Sequence, residues 1–130
     1  MSVVVRDASA AVELVLGTVA GGRVGRSLRR KTVAVPAHLE AEVLSALGRL
    51  ARTGAVAEDR VTLSLAQLVQ APFRRFPLAP LLAEAWALRP SLALRDALYV
   101  ALARRLEATL VTADARLARA PALGIALTLV

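Results

Sequence analysis

Short runs of β-branched, apolar residues alternate with longer Ala- and Leu-rich segments along this chain, and this alternation most constrains its fold. A continuous apolar run of about four to eight residues is typical of a strand that is buried on both faces of a parallel sheet. We therefore predict strands at VVVR, TVAV, TLVT and IALTLV, with FRRF as an edge strand. Strands that alternate with helices predict an α/β domain around a mostly parallel sheet.

The segments between these strands predict helices. ASAAVELVLG is expected to form a helix that ends at Gly17, and Pro36 is expected to open a long helix through about Thr53. Residues 17–31 hold four glycines and five basic residues, and they predict a loop that leads into a short basic helix. Further helices are predicted at residues 56–71, 78–89, 95–107 and 114–120. The helix at 95–107 is apolar nearly all round and is therefore expected to be buried.

Length and composition limit the possible classes of protein. A chain of 130 residues with 57% hydrophobic content is expected to form a single domain with its own core, residues 1–130. Its apolar runs fall far short of the roughly 20 residues that span a bilayer, so we expect a soluble, cytoplasmic protein with no membrane partner. A net charge of +7 favours a polyanionic partner, while an aromatic content of 3% argues against a base-stacking platform.

Four acidic residues need an explanation: Asp7, Glu42, Asp96 and Asp114. Asp7 and Asp114 each follow a predicted strand, where ligands bind in parallel α/β sheets. Each acid also has a purely structural interpretation, because Asp7 and Asp114 could cap helices and Asp96 could favour a helix N-terminus. Helical periodicity alone selects Glu40, rather than Glu42, as the acid on the apolar face of its helix.

A cluster of carboxylates suits Mg²⁺ or Mn²⁺, because these hard cations prefer oxygen ligands. Such an ion can neutralise phosphate and activate a water for in-line attack. Competing catalytic sets are weak, because the chain has no Cys and a single His, His38, which is expected on the surface. No phosphate-binding GxxxxGK[ST] loop is present either.

Several blocks of the sequence, in order, resemble the PIN-domain ribonucleases, and most closely the VapC-type toxins of bacterial toxin–antitoxin pairs. These blocks are VVVRDASAAVELVLG, VPAHLEAEVLSALGRL and the long stretch from PLLAEAW to ARLARAP, and they cover nearly the whole chain. The most specific part is DALYVALA followed shortly by LVTADARLA. Some PIN proteins carry a further acid just after the last one, whereas this chain has Arg116 and Leu117 there.

The resemblance implies a three-layer α/β/α PIN domain and Mg²⁺- or Mn²⁺-dependent cleavage of RNA. It places the family's acids on Asp7, Glu42, Asp96 and Asp114, and so favours Glu42 over Glu40. The metal ligands would be Asp7, Asp96 and Asp114, with Glu42 as a further ligand or a group that orients the attacking water. Polar residues that line the site in relatives match Ser9 and Thr112. Candidate contacts to the RNA backbone are Arg23, Arg26, Arg29, Arg30 and Arg89.

The resemblance also implies partners. It predicts a homodimer and a cognate VapB-type antitoxin that blocks the site, with DNA contacted only indirectly through the antitoxin complex. Two alternatives stay within the fold: an RNA-binding or regulatory module without turnover, and a solitary PIN nuclease in RNA processing. A third is a basic α/β DNA-binding protein, but no helix carries the Arg-rich face and turn of a helix-turn-helix.

Overall fold

A computed structural model describes residues 2–120 and 123–130 of the chain. In that part of the chain, five short strands form one sheet in which every neighbouring pair is parallel. The strands are β1 (Val3–Arg6), β2 (Thr32–Pro36), β3 (Arg74–Phe76), β4 (Thr109–Thr112) and β5 (Leu127–Leu129). Their order across the sheet is β3-β2-β1-β4-β5, which confirms the predicted α/β class.

The helices follow the strands as the alternation predicted. They are α1 (Ala8–Leu16), α2 (Val19–Ser27), α3 (Leu39–Arg52), α4 (Glu58–Gln70), α5 (Leu82–Ala87), α6 (Leu94–Leu106) and α7 (Ala115–Ala118). A 3-10 turn, Ala79–Leu81, precedes α5 and includes Pro80, whose missing N–H is tolerated at the start of a helix. None of these helices, in the described ranges, is long and apolar enough to cross a membrane.

The helices cover both faces of the sheet and produce three layers. The chain moves from β1 to β2 and β3 in one direction and then returns to β4 and β5 on the other side of β1. Because such parallel crossovers are right-handed, the reversal places α1 to α4 on one face and α5 to α7 on the other. Helix α6 contacts β1, β2 and β4, and the side chains of its central turns are buried. This burial confirms the prediction of a helix that is apolar nearly all round.

The reversal of strand order determines where a ligand can bind. In open parallel sheets, ligands lie beyond the carboxyl ends of the strands at the point where the order reverses. Here that point lies between β1 and β4, where Arg6 is paired with Val111. Helices α1, α3 and α7 each follow a strand and run back across the sheet, and α6 runs back to the start of β4, so all four begin at this carboxyl edge.

The prediction of a loop at the start of residues 17–31 is wrong, because α2 begins at Val19. Thr18 caps this helix by accepting a hydrogen bond from the backbone N–H of Gly21 at 2.9 Å. Gly21 is fully buried against α1, and a Cβ there would lie 2.1 Å from the carbonyl oxygen of Glu13. The glycines therefore serve close helix packing, a long-range requirement that composition does not reveal.

The predicted start of the third helix is also wrong, because Pro36 ends β2 and α3 begins at Leu39. Pro36 is paired with Phe76 of the edge strand, and the next residue, Ala37, donates its N–H to the Phe76 carbonyl at 2.9 Å. A proline has no N–H to give to a ladder, so it is tolerated at the end of a strand as well as at the start of a helix.

Candidate active site

A cleft of about 600 Å³ opens at the carboxyl edge of the sheet. Its walls are formed by the first half of α1, by α3 as far as Arg49, by the first turn of α6 and by the segment after β4. Its acidic lining residues are Glu13, Glu42, Asp96 and Asp114, and its basic lining residues are Arg49 and Arg95. The fold thus brings three of the four predicted acids to one cavity, from elements far apart in sequence.

Asp7, the fourth acid, lies just beneath this surface. It is 5% exposed, and its neighbours Ala8 and Ser9 line the cleft while Asp7 itself does not. It caps α1, because its Oδ1 accepts the N–H of Ala10 at 3.0 Å. Burial raises the pKa of Asp7, although three hydrogen-bond donors oppose the shift. The cap and a chemical role are compatible, since both require the carboxylate at the end of β1.

Ser9 and Thr112 connect Asp7 to the end of β4. The Ser9 hydroxyl donates to Asp7 Oδ1 at 2.7 Å, and the Thr112 hydroxyl donates a short hydrogen bond to Oδ2. In turn, the Ser9 oxygen accepts the N–H of Ala113 and the Thr112 oxygen accepts the N–H of Asp114, both at 3.0 Å. These bonds tie the ends of β1 and β4 together, so the two residues predicted to line the site are in direct contact with its first acid.

Asp96 and Asp114 both line the cleft. Asp96 lies in the first turn of α6, and Asp114 caps α7 by accepting the N–H of Arg116 at 2.9 Å. Burial raises the pKa of Asp96, and the charges of Glu42 and Asp114 raise it further. Arg116 stands where some relatives have a further acid, and its Nε lies 3.5 Å from Asp114 Oδ1. Its charge therefore partly compensates the carboxylate.

Two glutamates in α3 point to different places. Glu42 lines the cleft, while Glu40 forms an ion pair with Arg75 at 2.9 Å, outside the residues that line it. The structure therefore places Glu42, the residue selected by resemblance, beside Asp96, and leaves Glu40, the residue selected by periodicity, in a surface ion pair. Glu42 lies at the edge of the apolar face of α3, and it reaches the cleft because α3 starts at the carboxyl edge of the sheet.

Sequence reasoning missed two neighbours of Glu42. The Tyr99 hydroxyl donates to Glu42 Oε1 at 2.6 Å, and His38 Nε2 lies 3.2 Å from the same oxygen. His38, expected on the surface, lies at the wall of the cleft with its side chain 14% exposed and its ring in contact with Tyr99. Tyr99 lies three residues after Asp96 in α6, and nothing else in the local sequence marks it as part of the site. Its hydroxyl needs a partner when buried, and that requirement could have drawn attention to it.

The predicted RNA-contacting arginines lie elsewhere. Arg23, Arg26, Arg29, Arg30 and Arg89 are all exposed, and none lines the cleft. Arg89 stacks on Trp86, with its guanidinium 4.4 Å from the ring centroid. Their contact with RNA stays a prediction, whereas the arginines at the cleft itself, Arg49 and Arg95, were not among those selected. The helical pattern does not distinguish Arg49 in α3 or Arg95 in α6 from other exposed polar residues.

The donor chemistry of the cleft fits a hydrated divalent cation. All of its acidic donors are carboxylate oxygens, the ligands that Mg²⁺ and Mn²⁺ prefer. Within residues 2–120 and 123–130, no three acidic or histidine side chains are grouped closely enough to enclose a metal ion. Mg²⁺ commonly binds through one or two carboxylates and keeps several waters, so this spacing is compatible with it. A cation would also relieve the repulsion that Glu42 and Asp114 exert on Asp96.

The sequence matches the PIN domain family over residues 4–123. It is 48% identical over 118 residues to ribonuclease VapC3 of Mycobacterium tuberculosis, covering 90% of this chain and 86% of that protein. It is 40% identical over 116 residues to ribonuclease VapC12 of the same organism, covering 89% of this chain and 90% of that protein. The fold also matches a crystal structure of VapBC2 from Rickettsia felis bound to a DNA fragment from their promoter, with a TM-score of 0.69 and 15% identity over 98% of both chains.

Proposed function

Because the chain belongs to the PIN-domain family and resembles its VapC ribonucleases over most of its length, we propose that it is an endoribonuclease toxin. The reaction is hydrolysis of RNA phosphodiester bonds in tRNA, rRNA or mRNA. The observation that carries the proposal is the convergence of Glu42, Asp96 and Asp114 on one cleft directly above Asp7. These side chains come from four separate elements, and helix capping alone does not require that they meet.

A divalent cation, Mg²⁺ or Mn²⁺, would be held at this site by Asp7, Asp96 and Asp114. When bound, such an ion supplies charge neutralisation at the phosphate and a more acidic water. Asp96 and Asp114 are accessible from the cleft, while Asp7 is held from below by Ser9 and Thr112. Asp96 and Asp114 would contact the ion from the cleft, and Asp7 would complete the ligand set from its floor.

Glu42 is suited to orient the attacking water. Burial alone would raise the pKa of Glu42, but hydrogen bonds from His38 and Tyr99 outweigh this effect and the pKa is lowered. The carboxylate is therefore ionised at neutral pH and able to accept a hydrogen bond from a water molecule. Its position beside Asp96 puts that water next to the place where phosphate would bind.

The basic residues around the acids are suited to hold the RNA backbone. Arg49 and Arg95 line the cleft, and a smaller groove of about 320 Å³ continues on the other side of Asp96 and Asp114, past Arg95 and Arg116. A strand that crosses the carboxylates would therefore meet a guanidinium on each side of the scissile phosphate. The exposed arginines of α2 would extend this positive surface, as the overall charge of +7 favours.

The partners expected for such a toxin are a VapB-type antitoxin and a second copy of the chain. We propose that the antitoxin covers the cleft and that contact with DNA occurs only through the toxin–antitoxin complex. Residues 1–130 would act as a single PIN domain in the cytoplasm, where the RNA substrates are. The fold similarity to a VapBC assembly from Rickettsia felis supports the choice of partner class.

The test is RNA cleavage by matched pairs of variants. Asp96→Asn is compared with Asp59→Asn, an exposed acid in the first turn of α4, and Glu42→Gln is compared with Glu40→Gln in α3. We expect the first member of each pair to lose roughly 100-fold or more in kcat, the scale of losing one group that stabilises developing charge. The second member should keep wild-type activity.

Each protein is assayed on structured transfer and ribosomal RNA in Mg²⁺, in Mn²⁺ and in EDTA, at one low salt concentration. Activity that needs the metal and disappears with Asp96→Asn and Glu42→Gln supports the proposal. RNA binding without cleavage in any metal would instead favour a binding module. Cleavage that persists equally in all variants and in EDTA would exclude this cleft as the active site.

A further inference from the structure

The single tyrosine and the single histidine of the chain meet at one carboxylate oxygen. Tyr99 donates to Glu42 Oε1 at 2.6 Å, and His38 Nε2 lies 3.2 Å from the same atom. The two rings also contact each other, with centroids 4.7 Å apart and planes tilted by 38°. Tyr99 belongs to α6 and His38 directly precedes α3, so the contact joins the two helical layers above the edge of the sheet.

The surroundings of His38 determine which of its nitrogens carries a proton. Its Nε2 lies near two acceptors, Glu42 Oε1 at 3.2 Å and the carbonyl oxygen of Arg95 at 3.1 Å. A bare nitrogen between two oxygens would be repelled by both, so Nε2 carries a hydrogen and donates. His38 Nδ1 is buried and has no hydrogen-bond partner among the described residues, which leaves Nε2 as the polar atom that anchors the ring.

The two donors leave the oxygens of Glu42 unequal. Oε1 accepts the Tyr99 hydrogen bond and lies 3.2 Å from His38 Nε2, whereas the cation recorded nearest to Oε2 in the described part of the chain is Arg95 Nε, 3.6 Å away and beyond hydrogen-bond distance. Tyr99 is 1% exposed, so its hydroxyl has no access to bulk water as an alternative partner. A hydrogen bond from a buried donor to an ionised acceptor is among the stronger ones in proteins, and it fixes the carboxylate plane as well as its position.

We propose that Tyr99 and His38 are positioning residues that hold Oε1 of Glu42 and thereby direct Oε2 into the cleft. The inference rests on the proposed function, because Oε2 is the atom that would accept a hydrogen bond from the attacking water. Without the two donors, Glu42 could rotate toward the exposed guanidinium of Arg95, whose side chain is 72% exposed and free to follow it. The contribution of Tyr99 and His38 is therefore one of orientation, exerted entirely through Glu42.

Tyr99→Phe is the sharpest variant, because it removes one hydroxyl and keeps the ring that packs in the core. We expect kcat on RNA to fall roughly 10-fold to 100-fold, the usual scale for losing an outer-shell partner of a catalytic ligand, with little change in KM. In a Glu42→Ala background the same change should have no further effect. Val100→Ala is the control, since Val100 is fully buried in the same helix and its truncation lowers stability without this hydrogen bond.

His38 is tested by rescue. His38→Ala should lower kcat, and His38→Gln should restore part of it, because the glutamine amide can donate one hydrogen bond from a similar position. A loss in His38→Ala that persists in full in His38→Gln would show that the ring supports only packing. A loss caused by Tyr99→Phe that is equally large in the Glu42→Ala background would overturn the proposal, because Tyr99 would then act independently of Glu42.

The contact itself can be observed without any activity. Tyrosine labelled with ¹³C at Cζ gives one NMR signal, because the chain has one tyrosine. Its shift should change in Glu42→Gln and stay at the wild-type position in Glu40→Gln. An unchanged signal in Glu42→Gln would exclude the hydrogen bond and the proposal with it. Failure of the wild type to cleave any RNA would refute the proposed function instead, while the tyrosine signal would still decide whether Tyr99 holds Glu42.

Discussion

At the scale of single residues, Asp7 is subject to two opposing effects on its pKa, hydrogen bonding and burial. Its carboxylate caps α1 and receives hydrogen bonds from Ser9 and Thr112, and these contacts stabilise the ionised form. Its burial has the opposite effect and dominates, so the pKa of Asp7 is raised above the ordinary value of 3.8. The catalytic role proposed for Asp7 would thus be kept at the expense of stability, a common feature of active sites.

Asp7→Asn should therefore stabilise the protein at neutral pH. An acid whose pKa is raised by folding binds its proton more tightly in the folded state, so stability falls as pH rises through the interval above 3.8. Asparagine lacks this dependence and still caps a helix. Thermal unfolding at several pH values should give a higher Tm than the wild type at pH 7, with a difference that narrows toward acidic pH. A lower Tm at pH 7 would contradict the burial argument.

Arg6 is a second buried charge, one position before Asp7. It is 5% exposed, its Nε has no hydrogen-bond partner in the described part of the chain, and its guanidinium lies 5.0 Å from the Phe73 ring centroid. Burial lowers the pKa of Arg6 to about 10, so it is charged at neutral pH. The ring offers partial compensation through a cation–π contact.

Arg6→Met should leave the free energy of unfolding unchanged or raise it by up to about 3 kcal/mol, because an apolar chain of similar length fills the site without a desolvated charge. Denaturant unfolding at neutral pH measures the difference. Arg75→Met is the control, an exposed member of an ion pair for which a change within about 1 kcal/mol is expected. A loss of stability in Arg6→Met would show instead that the cation–π contact with Phe73 outweighs the cost of burying the charge.

At the scale of elements, helix N-termini converge on the acids. Asp7 and Asp114 cap α1 and α7, and Glu42 and Asp96 lie in the first turns of α3 and α6. Each N-terminus carries a partial positive charge that favours a nearby anion. The parallel topology produces this arrangement, because every helix that follows a strand begins at the same edge. Several carboxylates can therefore lie close together at this edge, because each is stabilised by the N-terminus of a helix.

Close packing of α2 on α1 gives a prediction for neighbouring glycines. Gly21→Ala would put a Cβ 2.1 Å from the Glu13 carbonyl oxygen, so we expect a loss of roughly 1–3 kcal/mol in unfolding free energy. Gly22→Ala meets only the flexible end of Arg26 at 3.5 Å and should gain about 0.5–1 kcal/mol from helix propensity. Denaturant unfolding of the two variants compares them directly. Equal effects would mean that α2 does not pack on α1 as closely as the structure has it.

At the scale of the whole molecule, the charge of +7 predicts RNA binding that weakens steeply with salt. Arg49→Gln should lower the slope of log K against log salt concentration by roughly 0.7–0.9, the value expected for one phosphate contact. Arg52→Gln is the matched control in α3, exposed but outside the cleft. Binding is measured in EDTA with the Asp96→Asn background, so that no cleavage intervenes. The same slope for both variants would place the RNA elsewhere on the surface.

The sequence by itself determined the features that depend on one element at a time. Val3–Arg6 and Thr109–Thr112 form strands, as expected because short, continuous runs of apolar and β-branched residues are typical of a parallel strand that is buried on both faces. Asp7 and Asp114 follow them directly, so their place at the carboxyl edge followed from the alternation of strands and helices. The buried character of α6 was likewise present in its local pattern.

Only the tertiary structure decided which side chains meet. Glu42 reaches the cleft because α3 crosses the edge of the sheet opposite α6, and its partners Tyr99 and His38 depend on how two layers approach each other. The helix at residues 19–27 could not be predicted for the same reason, because the need for Gly21 arises only from contact with α1. Local sequence encodes torsional preference and period, whereas distances between elements arise from the packing of the whole sheet and its layers.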